Sequence, residues 1–181
     1  NITVCGFKCV LEWKVEAKIE VSRIILGTAQ MQECYGYDQL RGQLSIRDNA
    51  LKLLDHAWRR GIRQIDTALE YGTAHEAISQ FLIENSDKSF GVTTKITDVS
   101  ALHFDKLNKL FEIQNCRPIS ILLHNESDLS NLEAINFVEE LCNRHQDLRW
   151  GVSIYTLQCA EIAIQTPNCS VIQLPLSILN Q

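Results

Sequence analysis

The sequence predicts an α/β protein of the (β/α)8 TIM-barrel type, incomplete here, with about six strands and five helices. Three observations carry this reading. Short apolar runs alternate strictly with helical apolar patterns, which implies a parallel sheet with right-handed crossovers. Asp66, Lys95, His124 and Ser153 stand 29 residues apart, each at the end of an apolar run, and one strand-helix unit takes about 30 residues. The competing architecture, an open dinucleotide-binding sheet, calls for GxGxxG after its first strand. Here that loop reads Gly27-Thr28-Ala29-Gln30, and no GxG occurs in the chain. Polar residues ending successive strands suit a barrel, where several βα loops each supply one group.

The elements follow in order. A strand over Arg23–Leu26 leads into a long polar loop. Ser45 reads as an N-cap with Asp48 in the first helical turn. Ala50, Leu51, Leu54, Ala57 and Trp58 recur at helical spacing, and Gly61 stands where a C′ glycine ends a helix. Strand two is Ile62–Ile65, and the next helix covers His75–Glu84 with Ala77, Ile78, Phe81 and Leu82 inward. Strand three is Phe90–Thr94, followed by a helix between Ala101 and Gln114. Pro118 disfavours helix and opens strand four, which runs to Leu123. Ser130 with Glu133 three residues on reads as a capping box for a helix over Leu132–Arg144. Strand five is Leu148–Val152, helix five Leu157–Ile164, and strand six Val171–Leu174, ended by Pro175. Residues 1–20 stand apart as an N-terminal hairpin or an extension, and 21–181 form the barrel domain.

The 181 residues suffice for one domain. A net charge of −5 argues against a nucleic-acid surface. No apolar run approaches the ~20 residues a bilayer span needs, so no membrane partner is expected. Seven scattered cysteines, odd in number and without CxxC, point to a reduced, cytoplasmic protein. Cys5 and Cys9 lack a second Cys/His pair, so no metal site is expected.

One stretch is specific. Gly61-Ile62-Arg63-Gln64-Ile65-Asp66-Thr67-Ala68, followed by Tyr71-Gly72, resembles the signature of the aldo-keto reductase family. Thr94-Lys95 is similar to that family's strand-three lysine, and Leu122-Leu123-His124-Asn125 to its strand-four histidine. Gly151-Val152-Ser153 and Gln173 resemble its two carboxamide-binding positions, and Gly27-Thr28-Ala29-Gln30 its first loop. Ser153-Ile154-Tyr155 and Gln173-Leu174-Pro175 are most similar to a branch found in bacterial surface-polysaccharide gene clusters. Any one of these residues alone has a blander reading: Asp66 as a turn former, Lys95 as a surface lysine, Tyr71 as loop packing. The ordered set is what carries the resemblance.

The resemblance implies an NAD(P)H-dependent reductase of an aldehyde or ketone, a sugar carbonyl among the candidates, with NADPH preferred over NADH. It implies Tyr71 as proton donor, supported by Asp66, Lys95 and His124. The residue types agree with that chemistry. A carbonyl taking up hydride develops negative charge on oxygen and needs a donor. A free phenol titrates at about 10, and a nearby cation such as Lys95 lowers that value. The resemblance places the cofactor against Gly27, Thr28, Ala29, Ser153 and Gln173, and it implies a small-molecule carbonyl substrate.

The chain departs from the family pattern at three points. His75 and Ser79 stand where relatives carry Glu and Gly. Ile154 stands where many carry a carboxamide-binding Asn. The chain ends near strand six, whereas a full barrel takes about 250 residues. A truncated barrel, or one completed by another chain, is therefore expected, with self-association through open strand edges. The alternative is a non-catalytic module that acts by binding or regulation.

Overall fold

The computed structural model describes residues 23–31 and 46–175. The expectations for residues 1–20, Cys5, Cys9 and the Ser45 cap lie outside them. Six parallel strands run in sequential order: β1 (Ile25–Gly27), β2 (Gln64–Asp66), β3 (Phe90–Ile96), β4 (Cys116–Leu123), β5 (Arg149–Ser153) and β6 (Val171–Gln173). The helices between them are α1 (Ile46–Arg59), α2 (Ala74–Glu84), α3 (Ala101–Phe111), α4 (Leu132–Arg144) and α5 (Leu157–Gln165). Sequential order without reversal leaves no switch point of the kind an open doubly wound sheet has. Right-handed crossovers of one sense place every helix on one face of the sheet. The sheet therefore curls into an incomplete (β/α)8 barrel, as the sequence predicts.

Side chains alternate across each strand. Ile65, Phe90, Val92, Ile121, Leu123 and Val152 are buried toward the helices. They meet Leu54 of α1, Ile78 and Leu82 of α2, Leu107 of α3, and Val138 and Leu141 of α4, all fully buried in one core. Each such side chain contributes about 1.5–3 kcal/mol. Phe90 is the aromatic centre of this layer, with Trp58 edge-on at 5.5 Å and Phe81 at 5.8 Å. The opposite strand faces point into the barrel, where the Thr93 and Ser120 hydroxyls hydrogen-bond at 2.9 Å. Cover thins at the β6 end: Ala163 is the buried residue of α5, while Leu157 and Ile164 lie exposed.

Several boundaries differ from expectation for local reasons. β1 and β2 each lie further along the chain than predicted, ending at Gly27 and Asp66, because those residues pair with each other in the parallel ladder. β3 continues to Ile96 through its pairing with Leu123. Pro118 does not open β4 but sits inside it. The ladder shifts register between Val92↔Pro118 and Thr93↔Ser120, and such a shift tolerates the missing N–H. The Ser130–Glu133 capping box does not form. Ser130 ends a 3-10 turn, and Asn131 caps α4 instead, its Oδ1 accepting from the backbone N–H groups of Glu133 and Ala134. α3 stops at Phe111, three residues short of Gln114. Gly61 does close α1, with φ of 88°.

Candidate active site

β2 delivers Asp66 and β3 delivers Lys95 from neighbouring strand ends, both pointing into the barrel. The Lys95 ammonium donates to Asp66 Oδ1 at 2.7 Å and Oδ2 at 2.6 Å, and to the Thr67 carbonyl at 3.3 Å. The two side chains are 4% and 8% exposed. An ammonium has three N–H donors, and three oxygens lie within hydrogen-bond distance of this one. A buried pair of this kind holds only because each charge answers the other.

The loop after β2 is stitched along β3. Thr67 N–H donates to the Thr93 carbonyl at 2.9 Å, and Leu69 N–H donates to the Lys95 carbonyl at 3.1 Å. The chain therefore continues beside β3 before turning at Gly72, whose φ is 52°, into α2. This path sets Tyr71 with the Lys95 ammonium 5.6 Å from its ring centroid. His124, one residue beyond β4, meets Tyr71 edge-on with centroids 6.4 Å apart. Its backbone N–H donates to the Ile96 carbonyl at 2.8 Å, which locks the β4 end to β3. Asp66, Tyr71, Lys95 and His124 therefore form one connected cluster.

The five residues expected around a cofactor divide. Ser153 is buried at the end of β5 and is the register partner of Gln173 on β6. A hydroxyl and a carboxamide side by side supply donors and acceptors matched to an amide, so this pair fits a nicotinamide. Gln173 also donates to Asp66 Oδ1 at 3.2 Å, which ties that pair to the Asp66–Lys95 centre. Thr28 is fully buried, and both its hydroxyl and its N–H donate to the Asp66 carbonyl, at 3.1 and 3.0 Å. It braces β1 against β2 and leaves Gly27 and Ala29 as the more accessible members of the first loop.

Two residues that the sequence left aside belong to this neighbourhood. Glu70 accepts from the Thr97 N–H at 2.9 Å and the Thr97 hydroxyl at 2.5 Å, and its other oxygen lies 3.8 Å from His124 Nδ1. Partial burial alone would raise its carboxyl. The His124 ring and the Thr97 donors outweigh that and hold it at about 2. The one signal in the sequence was its place beside Tyr71. His75, read as an ordinary helix residue, is buried with Nε2 2.9 Å from the Thr94 hydroxyl. Burial, with a smaller push from Lys106 and against the pull of Glu70, lowers its pKa to about 4. It is therefore neutral at physiological pH.

The model of the Aldo/keto reductase family matches residues 23–117, more than half of the chain. The chain belongs to the aldo/keto reductase family. No match was found among curated proteins. Among solved structures, a Pseudomonas aeruginosa protein assigned as an aldo-keto reductase is similar, with a TM-score of 0.64 and 22% identity. That match covers 86% of this chain and 63% of the other. An aldo/keto reductase from Klebsiella pneumoniae, in complex with NADP and acetate, has a TM-score of 0.57 and 21% identity, covering 82% of this chain and 52% of its own. An aldo-keto reductase from a deep-sea metagenome gives 0.55 and 19%, covering 83% and 52%. At these identities the likeness is one of fold. The chain spans between about half and two thirds of the length of these aldo/keto reductases.

Proposed function

We propose that this chain carries the acid-base half of an NAD(P)H-dependent reductase acting on an aldehyde or ketone. The supporting observation is the convergence of Asp66, Lys95, Tyr71 and His124 from three consecutive strand ends into one cluster. In this reading Tyr71 gives a proton to the carbonyl oxygen, and His124 hydrogen-bonds to that oxygen and orients it. Lys95, with its ammonium 5.6 Å from the Tyr71 ring centroid, acts on Tyr71 through its charge. Ser153 and Gln173 hold the nicotinamide carboxamide, with Gly27, Thr28 and Ala29 at the first loop. The cofactor supplies the hydride. The NADP bound to the Klebsiella neighbour supports NADP over NAD. The Ser153-Ile154-Tyr155 and Gln173-Leu174-Pro175 variants support the polysaccharide-cluster branch and a sugar carbonyl as substrate.

Residues 21–181 form the barrel domain in this proposal, and the edges at Ile25–Gly27 and Val171–Gln173, each paired on one side only among the described residues, favour self-association. Among the described residues no helix is long and apolar enough to cross a membrane, and Cys116, Cys142, Cys159 and Cys169 are free thiols. The free thiols support a reducing, cytoplasmic setting. Following cofactor fluorescence while NADPH and NADH are added to the full-length protein tests the reading, and absence of binding by folded protein overturns it.

A second reading, a binding module without turnover, draws on Ile154, which stands where many relatives carry a carboxamide-binding Asn. The two separate on Tyr71→Phe. The reductase reading expects carbonyl reduction to fall about a hundredfold or more, whereas a module without turnover shows no reduction to lose.

A further inference from the structure

We infer that Glu70 is a positioning residue for His124, its carboxylate facing a protonated Nδ1 as acceptor and so leaving Nε2 for the substrate. This rests on the reductase reading above. The geometry that carries it is divided between the two carboxylate oxygens. Oε1 takes both donors of Thr97, the N–H at 2.9 Å and the hydroxyl at 2.5 Å. That fixes the carboxylate plane and directs Oε2 at His124, 3.8 Å from Nδ1. Among the described residues Nδ1 is buried and has no hydrogen-bond partner. At 3.8 Å the contact is longer than a hydrogen bond, and a shift of about 1 Å by either side chain would convert it. Such tightening is common when a site meets its substrate.

The arrangement has a chemical consequence. The nitrogen of a histidine that carries the proton is set by what its other nitrogen meets. With a carboxylate at Nδ1, that atom must be the N–H. Nε2 then faces the substrate, and when it is also protonated it donates to the carbonyl oxygen, with Glu70 as counter-charge. Glu70 directly precedes Tyr71, so one segment of the β2–α2 loop sets both groups that meet the substrate oxygen.

Glu70→Gln separates positioning from mere bracing. The Thr97 N–H demands an acceptor, so the introduced carboxamide must turn its oxygen to Thr97 and its NH2 to His124. The brace survives, but Nδ1 now meets a donor and must become the acceptor. Ring-nitrogen NMR of the full-length protein, with His124→Gln used to assign the signals, reads this directly. The expected result is a protonated, pyrrole-type Nδ1 in the wild type and a pyridine-type Nδ1 in Glu70→Gln. An identical ring-nitrogen pattern in the two proteins overturns the inference. If Glu70→Gln fails to fold, the wild type decides alone: an unprotonated Nδ1 overturns the inference. The spectra need no turnover, so they stand whether or not the reductase reading holds. Where reduction is measurable, kcat of Glu70→Gln falls by up to about a hundredfold with KM little changed, whereas a role in bracing alone would leave this variant near wild type.

Discussion

Gln173 on β6 donates its carboxamide N–H to Asp66 on β2 at 3.2 Å, joining residues 107 positions apart across the inside of the curled sheet. Asp66 thereby receives Lys95 from β3, Gln173 from β6 and, through its backbone carbonyl, Thr28 beyond β1. The carboxylate at the centre of the candidate site is also a structural junction. Gln173→Ala removes one hydrogen bond to a buried charge, which costs about 1.5–3 kcal/mol. A lowered urea midpoint with an unchanged slope is the expected signature.

Breaking the central ion pair costs more. Asp66→Asn leaves the Lys95 ammonium buried at 4% exposure without a counter-charge. The expected loss is about 3–5 kcal/mol. Adding Lys95→Met to Asp66→Asn removes the orphaned charge and recovers part of it, so the double variant is more stable than the single one by equilibrium unfolding.

His75 makes stability depend on pH. Its pKa lies at about 4 in the fold and near 6.5 in the unfolded chain. Between these values the unfolded state binds more protons. The stabilisation is therefore complete above about pH 6.5 and is lost as pH falls through 4, by about 3 kcal/mol in total. His75→Gln keeps a partner for the Thr94 hydroxyl and does not titrate. Its unfolding free energy is expected to be flatter than that of the wild type between about pH 7 and about pH 4. Glu70, held at about 2 against an ordinary value of 4.5, adds a further, solvent-screened loss below pH 4.5 in both proteins.

Two glycines on the inner faces of β3 and β5 differ in what they permit. A Cβ on Gly151 would collide with the backbone carbonyl of Val171 on β6, which cannot move without breaking the ladder. A Cβ on Gly91 would meet the end of the Ile119 side chain, which can rotate away. Gly91→Ala is expected to cost about 1–3 kcal/mol, and Gly151→Ala distinctly more, with protection of the β6 amides lost first in hydrogen exchange.

The cap of α4 gives a local check. Asn131→Ala is expected to cost about 1 kcal/mol, while Ser130→Ala, one residue earlier, leaves the thermal midpoint nearly unchanged.

Local pattern in the chain was enough to give the order and kind of every described strand and α-helix, because apolar periodicity and strand-end polar residues are local signals. It also placed Asp66, Lys95, His124 and Ser153 at one end of the sheet, since their common spacing puts each at a strand terminus. Packing in three dimensions decided what these residues spend their bonds on. Thr28, which the resemblance places at the cofactor, gives its hydroxyl and its N–H to the Asp66 carbonyl. Gln173 reaches Asp66 only because the sheet curls. Glu70 and His75 gained their places beside His124 and Thr94 through loop and helix packing, of which the sequence shows only that Glu70 adjoins Tyr71. Strand ends and the α4 cap also moved by a residue or a few. The ladder partner or the available backbone N–H, rather than the propensity of the residue itself, sets where an element stops.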